Sequence, residues 1–290
     1  MPIPFLVKAR QGRNGWRRYL QAISLMASLW LGLVLLVMLV FGLTGIPIGT
    51  TSWWIRSHPV VAIVAMMLGA GVMVAGLFLV MRRIHHRAFG TLFHANGLLH
   101  WHRVWQGCVF WLGASLITIA LLALVDPSRF TFLHPDAGWW LQALLFLLIS
   151  PLIAIAWGAL AGYLLQAVGL LFTKPLWVAI LWGLAFGFRD FASGHPRHQV
   201  VLAGLYQAVL VWVALQDNGV ELLMGSSIAW RISGVFLAVP DDHAMIQPLF
   251  AITEPIYPHP FWMIISHSLR LALFCACFRY GPWRLTSVRP

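Results

Sequence analysis

The run Gly138-Trp-Trp-Leu-Gln-Ala-Leu-Leu-Phe-Leu-Leu-Ile-Ser150-Pro151-Leu-Ile-Ala-Ile-Ala156-Trp157-Gly-Ala-Leu-Ala161-Gly162-Tyr163-Leu-Leu-Gln166-Ala-Val-Gly-Leu-Leu-Phe172 is thirty-five residues long and carries no charged side chain. A hydrocarbon layer about 30 Å thick needs only about 20 helical residues, and thirty-five at 1.5 Å each make about 52 Å. The run predicts a membrane helix that tilts, bends near Pro151 or projects beyond the hydrocarbon. It is predicted to turn at Thr173-Lys174-Pro175.

Outward from this run, apolar stretches fall at 19–44, 59–81, 104–125, 175–192, 198–216, 218–239 and 259–280. Together they predict an all-α polytopic membrane protein with about eight transmembrane helices. Composition agrees, with 60% hydrophobic and 9% charged residues over the 290, against roughly 25% charged in soluble domains. About eight spans leave room for little else, so one integral membrane domain is expected. It divides into 1–81 (basic segment and two helices), 82–239 (core) and 240–290 (acidic loop, last helix, basic tail). No internal repeat of the kind transporters carry is visible.

The net charge of +11 suits bilayer orientation and anionic phospholipid, and nucleic acid is not an expected partner. Lys8, Arg10, Arg13, Arg17 and Arg18 precede the first span, Arg82, Arg83, Arg87 and Arg103 occupy the 82–103 connection, and Arg279, Arg284 and Arg289 end the chain. The 240–258 connection has Asp241, Asp242 and Glu254 and no base. Both termini are therefore expected on the cytoplasmic side. The first helix is expected to be retained rather than cleaved as a signal. Sixteen tryptophans, with pairs at Trp53-Trp54 and Trp139-Trp140, read as interfacial belts. Cys108, Cys275 and Cys277 read as core thiols, because a Cys-x-Cys pair on a helix points to different faces.

His85, His86, His94, His100 and His102 crowd one connection. They admit two readings: a basic, aromatic segment lying on anionic headgroups, or a metal or haem site. The first is preferred, because His100 and His102 are poorly spaced for one helix face and no carboxylate is nearby in sequence to orient them. Asp190, Glu221, Arg231 and Arg270 are ionisable groups within apolar spans, which are costly and mark functional positions. Glu221, next to Gln216-Asp217-Asn218-Gly219, reads as an acid near a helix N-terminus. Arg270, with His267 one turn earlier, could line a cavity or bond a neighbouring helix.

The stretch 151–166, with Gly162-Tyr163-Leu164, resembles the first motif of the CPBP family of intramembrane proteases, which includes the CAAX prenyl endopeptidases and Abi proteins. That motif is Glu-Glu-x-x-x-Arg, commonly continued as Gly-Tyr-Leu. Phe186-Gly-Phe-Arg-Asp190 resembles the second, Phe-x-x-x-His. Asn218-Gly-Val-Glu221-Leu-Leu-Met-Gly225-Ser-Ser227-Ile-Ala-Trp-Arg231 resembles the third, which ends in His-x-x-x-Asn, and 86–103 resembles the basic loop of bacterial members. The resemblance covers 82–239 and implies a CAAX-protease-like bundle in a bacterial inner membrane. Ala156 and Asp190 each lie 17 residues from Thr173, which places both about 25 Å from one turn.

Residue by residue, the motif glutamates fall on Ala156 and Trp157, the arginine on Ala161, the histidines on Asp190 and Ser227, and the asparagine on Arg231. None is retained, so the family's general base and oxyanion stabilisers are missing. The expectation is a pseudoenzyme with no cofactor, retained as a scaffold or accessory subunit beside other integral membrane proteins. Trp157 is expected to fill the vacated space and Asp190 to pair with Arg231. The alternatives are a peptidase with a relocated site drawn from Asp190, Ser227, Glu221 and His198 or His267, and a transporter or lipid-binding protein using Arg231 and Arg270.

Overall fold

The structure is a computed structural model that describes residues 3–44, 59–125, 127–132, 135, 137–172, 174–238 and 250–252. The predicted span at 259–280, with Cys275, Cys277, His267 and Arg270, lies outside the described residues. The helices are α1 (Pro4–Lys8), α2 (Trp16–Thr44), α3 (Pro59–Leu79, widening into a π turn at Val80–Ile84), α4 (Trp101–Val125), α5 (Ala137–Leu171), α6 (Pro175–Ala192), α7 (Arg197–Gln216) and α8 (Glu221–Phe236). Three short strands, β1 (Phe130–Phe132), β2 (Leu237–Ala238) and β3 (Phe250–Ile252), form a sheet in the order β1-β3-β2. β1 runs antiparallel to β3 and β2 parallel to it.

Six described helical stretches are long and apolar enough to cross a membrane: Arg17–Val40, Val61–Ile84, Trp101–Val125, Trp139–Leu171, Pro175–Ala192 and Arg197–Gln216. The chain is a predominantly helical, multi-pass membrane protein, as its composition predicts. Helices suit lipid because every backbone hydrogen bond closes within the segment. α8, at 16 residues, is about 24 Å long, short of the hydrocarbon thickness. Proline sets the start of α6, where Pro175 takes a first-turn position that needs no donor. Gly194, in the left-handed region at φ 81°, turns the chain between α6 and α7.

The thirty-five-residue run forms one continuous helix, Ala137–Leu171, with Pro151 inside it. It packs against α3 and α8, and α8 in turn lies tightly along α4. That last crossing depends on glycine. A Cβ on Gly225 would stand 2.2 Å from the Val104 carbonyl oxygen, and one on Gly107 2.7 Å from that of Leu222. Small residues let two membrane helices approach at backbone distance, where van der Waals contact is strongest. α6 packs chiefly on α7, forming a hairpin beside this core. Leu77, Met81, Leu165, Leu215 and Met224 are fully buried, whereas Leu31, Leu35, Leu39, Leu148 and Leu184 face outward. Such a leucine-covered exterior suits hydrocarbon, because water would disfavour it.

α2, α4 and α8 begin, and α3, α5 and α7 end, at the same end of the bundle. The contacts that follow cluster there and form a polar cap; the small sheet closes the opposite end.

Candidate functional site

The cap is assembled from segments distant in sequence. His85, 1% exposed, faces the Tyr163 hydroxyl across 3.3 Å through Nε2 and the Asn14 side-chain oxygen across 3.1 Å through Nδ1. Its carbonyl accepts from the Arg13 amide at 3.1 Å, and Arg18 donates to the Ile84 carbonyl. Arg87 donates to Gln166 Oε1 at 2.7 Å, while Gln166 Nε2 donates to the Thr91 carbonyl at 2.6 Å. α1 buries Phe5 and Leu6 and sets Leu6 against Gly169 of α5. Burial holds His85 below the usual histidine range and lowers Arg87 as well.

The 82–106 connection is therefore more than the surface segment its basic and aromatic composition suggests. It folds inward and wraps the C-terminal turns of α5. Gly162, Tyr163 and Gln166 lie at helical spacings of one and four and meet the loop together. Gln166→Leu would leave the Thr91 carbonyl without its donor and strip Arg87 of its closest acceptor. We expect a loss of about 3 kcal/mol, measured as a lower unfolding midpoint in detergent.

A second cluster lies where the loop meets the start of α8. Asn218, at φ 60°, and Gly219 turn the chain out of α7. Val220 N–H donates to the Phe93 carbonyl at 2.8 Å and Ala95 N–H to that of Asn218 at 2.9 Å, forming a bridge between His94 and Gly219. This strand-like contact delivers Glu221 beneath the histidines. His100 approaches Glu221 Oε1 through Nδ1 at 3.1 Å, and its backbone N–H donates to the same oxygen at 3.4 Å. His94 and His100 stack edge to face with centroids 4.4 Å apart. Arg103 pairs with buried Asp217 at 3.2 Å.

Glu221 is fully buried and stands outside the six spans. Burial, with a lesser push from Asp217, raises its carboxyl to about 8, while hydrogen bonds and Arg103 only partly oppose this. Burial also depresses His94 and His100. Burial thus favours the uncharged form of the carboxyl and of both imidazoles. Oε2 of Glu221 and Oδ1 of Asn218 are buried without hydrogen-bond partners.

The motif positions arrange differently from the expectation. Ala156 is buried, but Trp157 is 49% exposed and faces outward rather than filling the space beside Ala156. Ala161 and Ser227 are half-buried. α5 and α8 do meet, with Gly158 against Met224. Asp190, however, accepts from Arg189 at 2.9 and 2.7 Å, and Arg231 makes no hydrogen bond through its buried Nε. The expected Asp190–Arg231 pair does not form: Arg189 on the same helix holds the carboxylate, and α6 packs chiefly on α7 rather than on α8, which carries Arg231. His198 is exposed. Cys108 is a buried free thiol, as expected.

Sequence reasoning missed the join between Glu221 and His100. The one signal was the Gly219-x-Glu221 pair following a left-handed turn, beside five histidines that lacked a local carboxylate.

No family model matches the chain, and no solved structure matches it. The uncharacterized protein YyaK of Bacillus subtilis (strain 168) is similar, at 23% identity over 200 residues. That stretch is 65% of this chain and 65% of YyaK, so the similarity spans just under two thirds of the relative's length.

Proposed function

We propose that this chain is a catalytically degenerate CPBP-like membrane protein that serves as a scaffold or accessory subunit of a membrane protein complex. The observation that carries the reading is the fate of the motif positions. Where the resemblance calls for two carboxylates there stand a buried methyl and an outward indole, and Asp190 is already held by Arg189. The elements that persist are architectural: Gly162 and Tyr163 seat the basic loop, and Gly225 seats α8 on α4. Its partners are other integral membrane proteins, with anionic phospholipid against the basic residues of the cap.

In this reading the bundle has the CAAX-protease-like arrangement with about eight crossings, the last two supplied by 259–280 and by the 218–239 run, whose first residues as far as Glu221 belong to the cap. It lies in a bacterial inner membrane with both termini cytoplasmic. The distribution of charge supports that orientation, because Lys8, Arg10, Arg13, Arg17, Arg82, Arg83 and Arg87 gather at the cap end. The relocated-peptidase reading is weaker. Asp190 lies about 22 Å along α6 from the cap end, whereas Glu221 is inside the cap and bound to His100. Affinity purification from native membranes in mild detergent, followed by mass spectrometry, tests the proposal. A stoichiometric set of membrane partners is expected; recovery alone, with trapped processed peptides, would overturn it.

A further inference from the structure

We infer that His94, His100 and Glu221 form a binding site for one divalent transition-metal ion of the zinc class, clasping the loop before α4 to the start of α8. The three residues can each direct one ligand atom so that all lie within 4.8 Å of one another. Ligands at about 2.1 Å in a tetrahedron stand about 3.4 Å apart, and His100 Nδ1 already sits 3.1 Å from Glu221 Oε1.

Two independent observations point to a cation. Glu221 is 0% exposed, yet its second carboxylate oxygen has no hydrogen-bond partner. Buried acceptors are almost always satisfied, and here the orphan lies beside two imidazoles. Asn218 Oδ1, three residues earlier, is a second buried acceptor without a donor. The floor of the site is also shaped for this convergence. A Cβ on Gly219 would lie 2.0 Å from Glu221 Oε2 and 2.9 Å from the His94 ring, so only glycine lets carboxylate and imidazole meet there.

The surroundings supply what metal-bound histidines need. Such rings are normally held through their other nitrogen by an outer partner. Asn96 supplies one: its side-chain oxygen lies 2.9 Å from His94 Nδ1, placed to accept from that ring and leave Nε2 for the ion, while its side-chain nitrogen lies 3.0 Å from His100 Nε2. Two imidazoles and one carboxylate are a borderline ligand set, suited to zinc, cobalt or iron rather than calcium or magnesium. The site has three protein ligands, and the His100 side chain, 25% exposed, opens it to solvent for a fourth. The site belongs to none of the motif positions that the family resemblance singles out, and it does not rest on the scaffold reading.

The test uses the full chain purified in detergent without a polyhistidine tag and stripped with chelator. Titration with Co²⁺ is expected to give one equivalent bound with the visible absorption of a four- or five-coordinate ion, displaced by Zn²⁺. Zn²⁺ is expected to raise the unfolding temperature. Glu221→Gln and His94→Asn should each weaken binding about 100-fold and abolish the thermal shift, while His195→Ala, on the exposed α6–α7 turn, should leave both unchanged. Size-exclusion profiles report whether each variant is folded; if Glu221→Gln or His94→Asn elutes aggregated, His100→Gln replaces it. Less than about 0.2 equivalents bound to wild type, or binding undiminished in the folded variants, would overturn the site.

Discussion

Gly162→Ala is expected to destabilise the protein by about 3 kcal/mol or more, at the upper end of what overpacking costs. The added methyl would stand 1.8 Å from the Leu92 carbonyl oxygen and 2.8 Å from its carbon. Both are backbone atoms, so no rotamer change can relieve the clash. Either the 89–92 turn lifts from α5 or the helix shifts away. Lifting the turn would also stretch the Gln166–Thr91 and Arg87–Gln166 hydrogen bonds, which hold the same stretch of loop. Gly71→Ala is the control, since nothing lies within 4 Å of a Cβ there and alanine is the better helix former. Thermal unfolding in detergent should show a large fall for the first and no fall for the second. Similar midpoints would mean the loop does not pack on α5 as described.

The second large effect is a change in how stability depends on pH. In the metal-free protein Glu221 holds its proton to about 8, against an ordinary value of 4.5. Between these values the unfolded chain has lost the proton and the folded chain has kept it. Raising the pH through that window therefore favours unfolding, and the contribution is fully present only below about 4.5. Glu221→Gln cannot ionise and should lack this slope. At pH 8.5 the variant is expected to be more stable than wild type, relative to their difference at pH 4.5, by on the order of 3 kcal/mol. The buried histidines act in the opposite sense, since their depressed values cost stability as the pH falls below the ordinary range. His85 and His94 are common to both proteins, so the difference between the two curves reports Glu221 together with the His100 ring it touches. Denaturant midpoints in chelator across that range measure it, and parallel curves would contradict the buried, proton-holding carboxyl.

The membrane helices were legible because lipid leaves the backbone few options, and an uncharged run of sufficient length has little else to become. The run at 175–192 reappears as α6 with the same ends, and 138–172 as α5 displaced by one residue. The cap was not legible for a different reason. Its decisive contacts, His85 with Tyr163 and His100 with Glu221, join residues 78 and 121 apart, and no local periodicity encodes a partner at that range. Composition was silent on them, because a basic, aromatic connection reads as a surface segment whether or not part of it also packs inward. Gly162 and Gln166, one helical turn apart, were the trace of the packing in the sequence. The Asp190–Arg231 pairing failed because motif alignment sets positions side by side, whereas α6, which carries Asp190, packs chiefly on α7 and not on α8.

The central claim is that this bundle works without chemistry at the positions where its resemblance would place it. The double variant Asp190→Asn, Ser227→Ala, expressed at native level in cells lacking the protein, tests this most directly through complementation of the deletion phenotype. Neither side chain is fully buried, so the fold should hold, and amounts in the membrane verify that it does. Full complementation is the expected result. Loss of complementation with undiminished folded protein would place catalysis at these residues and contradict the account.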